Sequence, residues 1–303
     1  MKKSLPRLMQ RTTIVSALFV FWVQAAQAET LETLESQSPI NITSDNTYYG
    51  KLPSLDFDLS RDTSLSVINT GSPDHEKTIR ADVGVGEGTL TVSGRTWDLA
   101  QFHFHTPSEH LINGRASPME MHLVFTDDDD LLVVGRQIER GLFDNYRLSS
   151  IFNHLPENPG ETLDVDHFNL NSLVPDYLGS FRYSGSLTTP PFSEGVSWVE
   201  LAKPLYLSDK QIDAFESLFP EGNTREVQDL NGRIVLTDVW GFPDAHDSHD
   251  HILDPLIPLL DGQLAVKAQV SDAVAASVPE PETYAMLLAG LSLIGFIARR
   301  RAI

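Results

Sequence analysis

Apolar and polar residues alternate in short runs through the middle of the chain, and turn-forming residues separate the runs. Alternation with a period of two places every second side chain on the same face, as in a half-buried β-strand. Several such runs at short intervals predict a mainly antiparallel sheet. The runs lie at residues 65–68, 89–92, 101–105, 120–125, 131–134 and 198–201. Four consecutive aspartates at residues 127–130 predict a hairpin turn, and a calcium site is the alternative interpretation.

Helical spacing of apolar residues is rarer. Ser208 precedes a segment, residues 209–219, in which apolar positions recur every three or four residues. Ser208 and Gln211 have the spacing of a capping box, in which each side chain caps the backbone N–H of the other residue. A second, shorter helix is predicted at residues 149–154. The pattern therefore predicts a mainly β domain with short peripheral helices.

The N-terminus has the composition of a secretory signal. Four basic residues among the first eleven precede an apolar run at residues 14–23, and a small-x-small cleavage site follows at residues 26–28. We therefore expect residues 1–28 to be a signal peptide and the mature chain to begin at Glu29. The alternative is an uncleaved anchor, but the run is shorter than the roughly 20 residues that a membrane span needs.

The C-terminus also has the parts of a sorting signal. Residues 278–281 contain two prolines, residues 284–298 are apolar, and residues 299–301 are arginines. This order resembles the PEP-CTERM tail, which implies a Gram-negative bacterium, a transmembrane segment and processing by an exosortase at the inner membrane. An ordinary C-terminal anchor is the alternative interpretation.

These ends divide the chain into four parts. Residues 29–242 form one predicted domain, long enough to bury a substantial core. Residues 243–277 begin with an acidic, histidine-containing tract and are expected to be a solvated linker, with weak metal binding as the alternative. The sorting signal occupies residues 278–303. We expect the protein to be exported, either tethered to the inner membrane in the periplasm or at the cell surface or outside after the tail is processed.

Composition narrows the possible partners. The chain has 22 Lys and Arg against 42 Asp and Glu, a formal net charge of −20. Nucleic-acid binding depends on cations that neutralise phosphates, so no nucleic-acid partner is expected. The absence of cysteine excludes thiolate nucleophiles and cysteine zinc ligands. The sequence does not indicate an oligomeric state.

Three histidines on two predicted strands are the strongest sign of chemistry. His103 and His105 share one face of the first strand, and His122 lies on the second. Three imidazoles without a thiolate favour zinc, and three protein ligands leave a fourth position open, as in a catalytic zinc site. Three other histidines are interpreted as ordinary packed or surface residues: His110, His154 and His167.

Several motifs resemble those of the α-class carbonic anhydrases. In chain order they are QSPI at 37–40, QFHFH at 101–105, SEH at 108–110, EMHLV at 120–124, YSGSLTTPP at 183–191 and NGR at 231–233. The resemblance implies a mainly β, single-domain fold with a central twisted, largely antiparallel sheet of about ten strands. It also implies reversible hydration of carbon dioxide to bicarbonate and a proton through zinc-bound hydroxide.

The same resemblance implies roles for the histidines and their neighbours. His103, His105 and His122 match the ligands of Zn²⁺. Gln101 and Glu120 match the residues that orient the rings of His103 and His122 and fix their tautomers.

The resemblance further implies a relay and a substrate pocket. Thr188 matches the residue that accepts a hydrogen bond from the zinc-bound hydroxide and donates its own proton towards Glu109. The residues that match the carbon dioxide side of the cavity are Thr189 and an apolar wall of Val124, Val133, Leu187 and Trp198.

The chain departs from the family pattern at three places. The family's Asn-x-Gly-His, which supplies a proton-shuttle histidine, ends in serine at residues 69–72, so His75 is either the shuttle or a solvent-facing loop residue. Phe192 stands where many bacterial members have a cysteine that pairs with one in the N-terminal region. The family's aromatic segment ahead of the QSPI motif is also missing.

Two other functions fit parts of the pattern. His103-x-His105 with Glu109 matches the first metal motif of a cupin, which would bind manganese or iron, but the second cupin motif is not found and residues 187–191 would be unexplained. A catalytically inactive binding module on the same fold is the other alternative, although all three zinc histidines are kept.

Overall fold

The computed structural model describes residues 36–71 and 77–242. The predicted signal peptide, His75, the linker and the tail therefore lie outside the described residues. The described strands are β1 (Asn41–Ile42), β2 (Thr47–Tyr49), β3 (Asp56–Leu59), β4 (Thr63–Asn69), β5 (Ile79–Val83), β6 (Gly88–Val92), β7 (Arg95–His105), β8 (Leu111–Ile112), β9 (Met119–Asp127), β10 (Asp130–Gly141), β11 (Thr162–Phe168), β12 (Ser180–Ser186), β13 (Glu194–Ser208) and β14 (Val235–Thr237). The α-helices are α1 (Ser149–Phe152) and α2 (Asp209–Leu218), and 3-10 helices lie at Ser44–Asn46 and Leu170–Leu173.

Twelve of these strands form one sheet, which is mostly antiparallel. Its order is β11-β4-β5-β7-β9-β10-β13-β12-β14-β2, with β6 pairing with both β7 and β3. Only β10 with β13 and β14 with β2 are parallel pairs in this sheet, and β1 and β8 form a separate parallel pair. The mainly β, largely antiparallel prediction is confirmed, with twelve strands where about ten were implied.

The centre of the sheet brings the two histidine-bearing runs together. Strands β7 and β9 are antiparallel neighbours, and His103 lies opposite His122 in their register. Strand β10 follows β9 through a tight turn, in which Asp128 has a φ of 51°. Arg95 forms ion pairs with Asp127 and Asp130 at the two ends of this turn. The predicted hairpin is confirmed, and two of its four carboxylates neutralise an arginine.

The face of β7 and β9 opposite the histidines packs into the main core. Phe102 and Phe104 are fully buried there, as are Met119 and Met121. Helices α1 and α2 cover this face, with the Phe104 ring 5.1 Å from that of Phe152. The alternation in the sequence therefore divides these strands between a hydrophobic core and a polar site.

The two predicted helices are present. Ser208 caps α2 by accepting a hydrogen bond from the backbone N–H of Gln211, and the capping box is complete. Helix α1 is shorter than predicted, because it ends at Phe152 with Asn153 as its C-cap. No helix in the described ranges is long and apolar enough to cross a membrane, and the apolar stretch at 284–298 lies outside them.

Candidate metal centre

Three histidine rings converge at the centre of the sheet. His103, His105 and His122 each offer a ring nitrogen, and these nitrogens lie within 4.8 Å of one another. The rings are nearly inaccessible to solvent, with at most 5% of each residue exposed. Strand alternation gives His103 and His105 one face of β7, and the cross-strand register supplies His122 from β9.

The second nitrogen of each ring is held by a protein oxygen. Nδ1 of His103 lies 2.8 Å from Oε1 of Gln101, and Nδ1 of His105 lies 3.0 Å from the backbone oxygen of Asn223. For His122 it is Nε2 that is held, 2.6 Å from Oε1 of Glu120. These acceptors fix the tautomers, and Nε2 of His103 and His105 and Nδ1 of His122 are the nitrogens that would hold a metal.

The protonation state of His122 suits a metal. Burial lowers the pKa of His122 to about 3, so its ring is neutral at pH 7. Neutral imidazole is the form that binds metal ions, and three imidazoles without thiolate are a donor set for zinc. The residues present therefore fit Zn²⁺.

Glu120 is the centre of a buried hydrogen-bond network. Its Oε1 accepts from His122 and from Nδ1 of His110, and its Oε2 accepts from the backbone N–H of His110 at 2.8 Å. Nε2 of Gln137 lies 3.1 Å from the same Oε2. Burial alone would raise the pKa of Glu120, but the two histidines outweigh it and lower that pKa well below its ordinary value. Glu120 is therefore an ionised acceptor for His122.

Glu109 is a second buried carboxyl beside the rings. Burial raises its pKa, and hydrogen bonds from the backbone N–H of Arg225, at 2.9 Å, and from the hydroxyl of Thr188 act in the opposite direction. Its Oε1 lies 3.7 Å from Nδ1 of His105. The structure therefore brings Thr188 and Glu109 together next to the metal centre.

An apolar wall lies next to the rings. Val133 and Trp198 are buried in a second hydrophobic cluster, and Val124 and Leu187 pack against it. The Trp198 ring is 5.0 Å from the His122 ring, and its indole N–H donates to the backbone oxygen of Ser186 at 3.0 Å. All four predicted wall residues thus belong to one cluster in contact with the site.

This geometry agrees with comparisons with known proteins. A model of the eukaryotic-type carbonic anhydrase family matches residues 21–239. The chain belongs to the eukaryotic-type (α-class) carbonic anhydrase family. A carbonic anhydrase of Neisseria gonorrhoeae is 40% identical over 204 residues, which cover 67% of this chain and 78% of that protein. One of Klebsiella pneumoniae is 40% identical over 205 residues, 66% of this chain and 79% of its own.

Solved structures of carbonic anhydrases share the fold. The Thermovibrio ammonificans α-carbonic anhydrase, solved with sulfanilamide, superposes with a TM-score of 0.63 at 35% identity and covers 68% of this chain and 88% of its own. The Photobacterium profundum α-carbonic anhydrase gives 0.61 at 34% identity and covers 72% and 95%. A PEP-CTERM protein-sorting motif matches residues 277–301, as the tail's sequence predicts.

The remaining predicted residues have simple placements. Thr189 is half-buried directly after Thr188, and His154 and His167 are exposed, the latter 2.9 Å from Asp62. His75 lies outside the described residues. His110 is fully buried, and its Nε2 is 2.7 Å from the hydroxyl of Tyr183, so it is a packed residue that also supports Glu120.

Several supporting residues of this carbonic anhydrase family member had no role in the sequence interpretation. Asn223 and Arg225 act through backbone atoms, which no side-chain pattern reports. Gln137 and Glu200 are also close to Glu120. Glu200 did carry a signal, because it is a charged residue between the apolar Val199 and Leu201.

Proposed function

We propose that this chain catalyses the reversible hydration of carbon dioxide to bicarbonate and a proton, with Zn²⁺ held by His103, His105 and His122. One observation carries the proposal: three buried imidazoles, whose other nitrogens are engaged by protein oxygens, direct a nitrogen each to one point. When bound, zinc would supply a Lewis acid that lowers the pKa of a water to about 7, the value established for carbonic anhydrase.

The oxygens behind the rings have a positioning role. Gln101 and Glu120 hold the rings of His103 and His122, and the backbone oxygen of Asn223 holds that of His105. Asn223 is itself fixed, because its side chain accepts from the backbone N–H of Thr106 at 2.7 Å. Such contacts orient the ligands and raise their basicity.

Thr188 and Glu109 orient the attacking water. The hydroxyl proton of Thr188 is directed to Glu109, so the threonine oxygen is left to accept a hydrogen bond from the water. This interaction holds the water with a lone pair towards the substrate carbon. Glu109 keeps its own position through the N–H of Arg225.

The apolar wall suits the substrate. Carbon dioxide is small and uncharged, so it needs an apolar surface near the reacting oxygen and no charged clamp. Val124, Val133, Leu187 and Trp198 supply that surface, and Thr189 lines the substrate side. The ring contact between Trp198 and His122 supports a location of this wall beside the metal.

We further propose a proton exit and a location. His75 takes the proton from the cavity to solvent, and exchange of His75 for alanine should then slow hydration in dilute buffer and allow rescue by imidazole.

The protein is exported from the cytoplasm of a Gram-negative bacterium, held at the inner membrane by residues 284–298, and processed by an exosortase, as the sorting motif supports. Mass spectrometry of the cell-associated and released protein tests whether the signal peptide and the C-terminal tail are removed.

Stopped-flow hydration of carbon dioxide with the purified mature chain tests the function. We expect hydration above the buffer rate, loss of this activity with a zinc chelator, and inhibition by a sulfonamide. Metal analysis should find about one zinc per chain. Bound manganese or iron in place of zinc would contradict the proposed metal, and a folded chain without zinc-dependent hydration would favour an inactive binding module.

A further inference from the structure

Two polar side chains approach Glu120 from the neighbouring strands. Gln137 on β10 lies opposite Glu120 in the register of β9 and β10, and its Nε2 lies 3.1 Å from Oε2 of Glu120. The same Nε2 lies 3.3 Å from Oε1 of Glu200 on β13. Glu200 is fully buried, and Gln137 is 7% exposed. One amide therefore bridges two buried carboxyl groups.

A glycine makes room for the second carboxyl group. Gly135 on β10 lies opposite both His122 on β9 and Glu200 on β13. A Cβ atom at Gly135 would overlap Oε2 of Glu200 and would lie 3.3 Å from Oε1 of Glu120. Any side chain at position 135 would displace the carboxyl group of Glu200. The absence of a side chain at Gly135 therefore leaves the space that this carboxyl group fills.

The burial of Glu200 and Gln137 beside Glu120 has a cost in folding free energy. Burying a carboxyl group costs free energy, and an apolar residue of similar volume would fill the same space without that cost. Burial and the negative charge of Glu120 raise the pKa of Glu200 well above its ordinary value. The raised pKa reflects the cost of a charge at this position.

We propose that Glu200 and Gln137 are positioning residues of the metal centre. Glu200 holds the amide of Gln137, and that amide donates to Oε2 of Glu120, which in turn fixes the Oε1 that holds the ring of His122. The inference deepens the proposed function and rests on it, since it takes His122 as a zinc ligand.

The rate of zinc release tests this chain of contacts. Glu200→Met and Gln137→Leu keep volume and remove the polar contacts. Changes behind a metal ligand typically cost 10–100-fold in metal affinity or activity. Gln137 and Glu200 lie behind Glu120 and so are further from the metal. We therefore expect the release of zinc to a chelator to be about 3- to 10-fold faster in either variant. The double variant should be no faster than the faster single one, because the two residues act through the same contact.

Two further variants separate positioning from packing. Glu200→Gln keeps the acceptor and the shape, so zinc release should stay within about twofold of the wild-type rate. Val199→Ala removes a buried side chain of β13 that faces the main core, and it should destabilise the fold without changing zinc release.

The outcomes are distinct. Wild-type zinc release in both Glu200→Met and Gln137→Leu, with Val199→Ala behaving as expected, would overturn the inference and leave the proposed function intact. Zinc release from Glu200→Gln as fast as that from Glu200→Met would also overturn it, because the amide keeps the acceptor that the thioether lacks. A wild-type protein that neither binds zinc nor hydrates carbon dioxide would overturn both. If Glu200→Met does not fold, Gln137→Leu and Glu200→Gln still decide between these outcomes.

Discussion

At the residue scale, the site depends on which atom of each side chain is already engaged. His103 and His105 use Nδ1 for a protein oxygen and His122 uses Nε2, and the three rings bring one nitrogen each to within 4.8 Å of one another. Thr188 similarly directs its proton to Glu109. The hydrogen bond at one polar atom of each side chain thus determines whether its other polar site can donate, accept or bind a metal.

Removal of the Thr188 hydroxyl should slow hydration without loss of metal. We expect Thr188→Val to reduce kcat/KM by roughly 100-fold, since the attacking water is no longer oriented, while zinc content is unchanged. Thr188→Ser keeps the hydroxyl and is the matched control. Equal rates for the valine and serine variants in stopped-flow assays would contradict the role of the hydroxyl.

The buried His122 should make the metal-free protein sensitive to acid. Its pKa is about 3 in the folded chain against an ordinary 6.5, so between these values the unfolded chain binds a proton that the folded chain does not. The contribution of His122 to the free energy of unfolding is therefore complete above about pH 6.5. It should fall by up to roughly 4 kcal/mol as the pH decreases towards 3.

The measurement is urea unfolding of the metal-free protein between pH 4 and about pH 8. The metal-free His122→Gln variant is the reference, because it lacks this titrating group and keeps a side chain that can donate to Glu120. A wild-type minus variant difference that does not change with pH would contradict the assignment.

At the scale of elements, strand alternation and register build the centre. Strand β7 places Phe102 and Phe104 in the core and two histidines on the opposite face, and β9 repeats the division with Met121 and His122. Helix α2 covers the core side, held at its start by the Ser208 capping box. The site therefore depends on elements whose other faces are fully packed.

Loss of the α2 cap should destabilise the domain modestly. We expect Ser208→Ala to lower the free energy of unfolding by about 1 kcal/mol, because the N–H of Gln211 loses its acceptor. Ser217→Ala on the exposed side of the same helix is the matched control and should change stability by less than about 0.5 kcal/mol. Urea denaturation measures both, and equal effects would refute the cap's contribution.

At the scale of the whole molecule, Arg225 joins distant parts of the chain to the site. Its guanidinium donates to the backbone oxygen of Ser38 at 2.7 Å and lies 3.8 Å from the centre of the Phe192 ring. Its backbone N–H holds Glu109. Gln37 also donates to the backbone oxygen of Phe192 at 3.1 Å. Non-covalent contacts thus join the segments that a disulfide is implied to join in many bacterial relatives.

Phe192→Ala should weaken this connection. We expect a loss of about 1 kcal/mol in the free energy of unfolding, since the cation–π contact is removed, and a smaller loss for Phe192→Tyr, which keeps the ring. Thermal unfolding with and without dithiothreitol measures the effect, and the reductant should change neither protein. Equal stability of the alanine and tyrosine variants would show that the ring contact contributes nothing.

The sequence by itself determined which residues face the site, because the period-two alternation of a strand is a local property that residues 101–105 and 120–125 display directly. It also indicated the hairpin at 127–130 and the cap at Ser208, which depend on neighbours in the chain. Only the tertiary structure decided that the backbone of Asn223 holds His105, that the backbone of Arg225 holds Glu109, and that His110, Gln137 and Glu200 lie around Glu120. Those contacts join residues far apart in the chain, several through backbone atoms, and their geometry is fixed by the packing of the whole sheet.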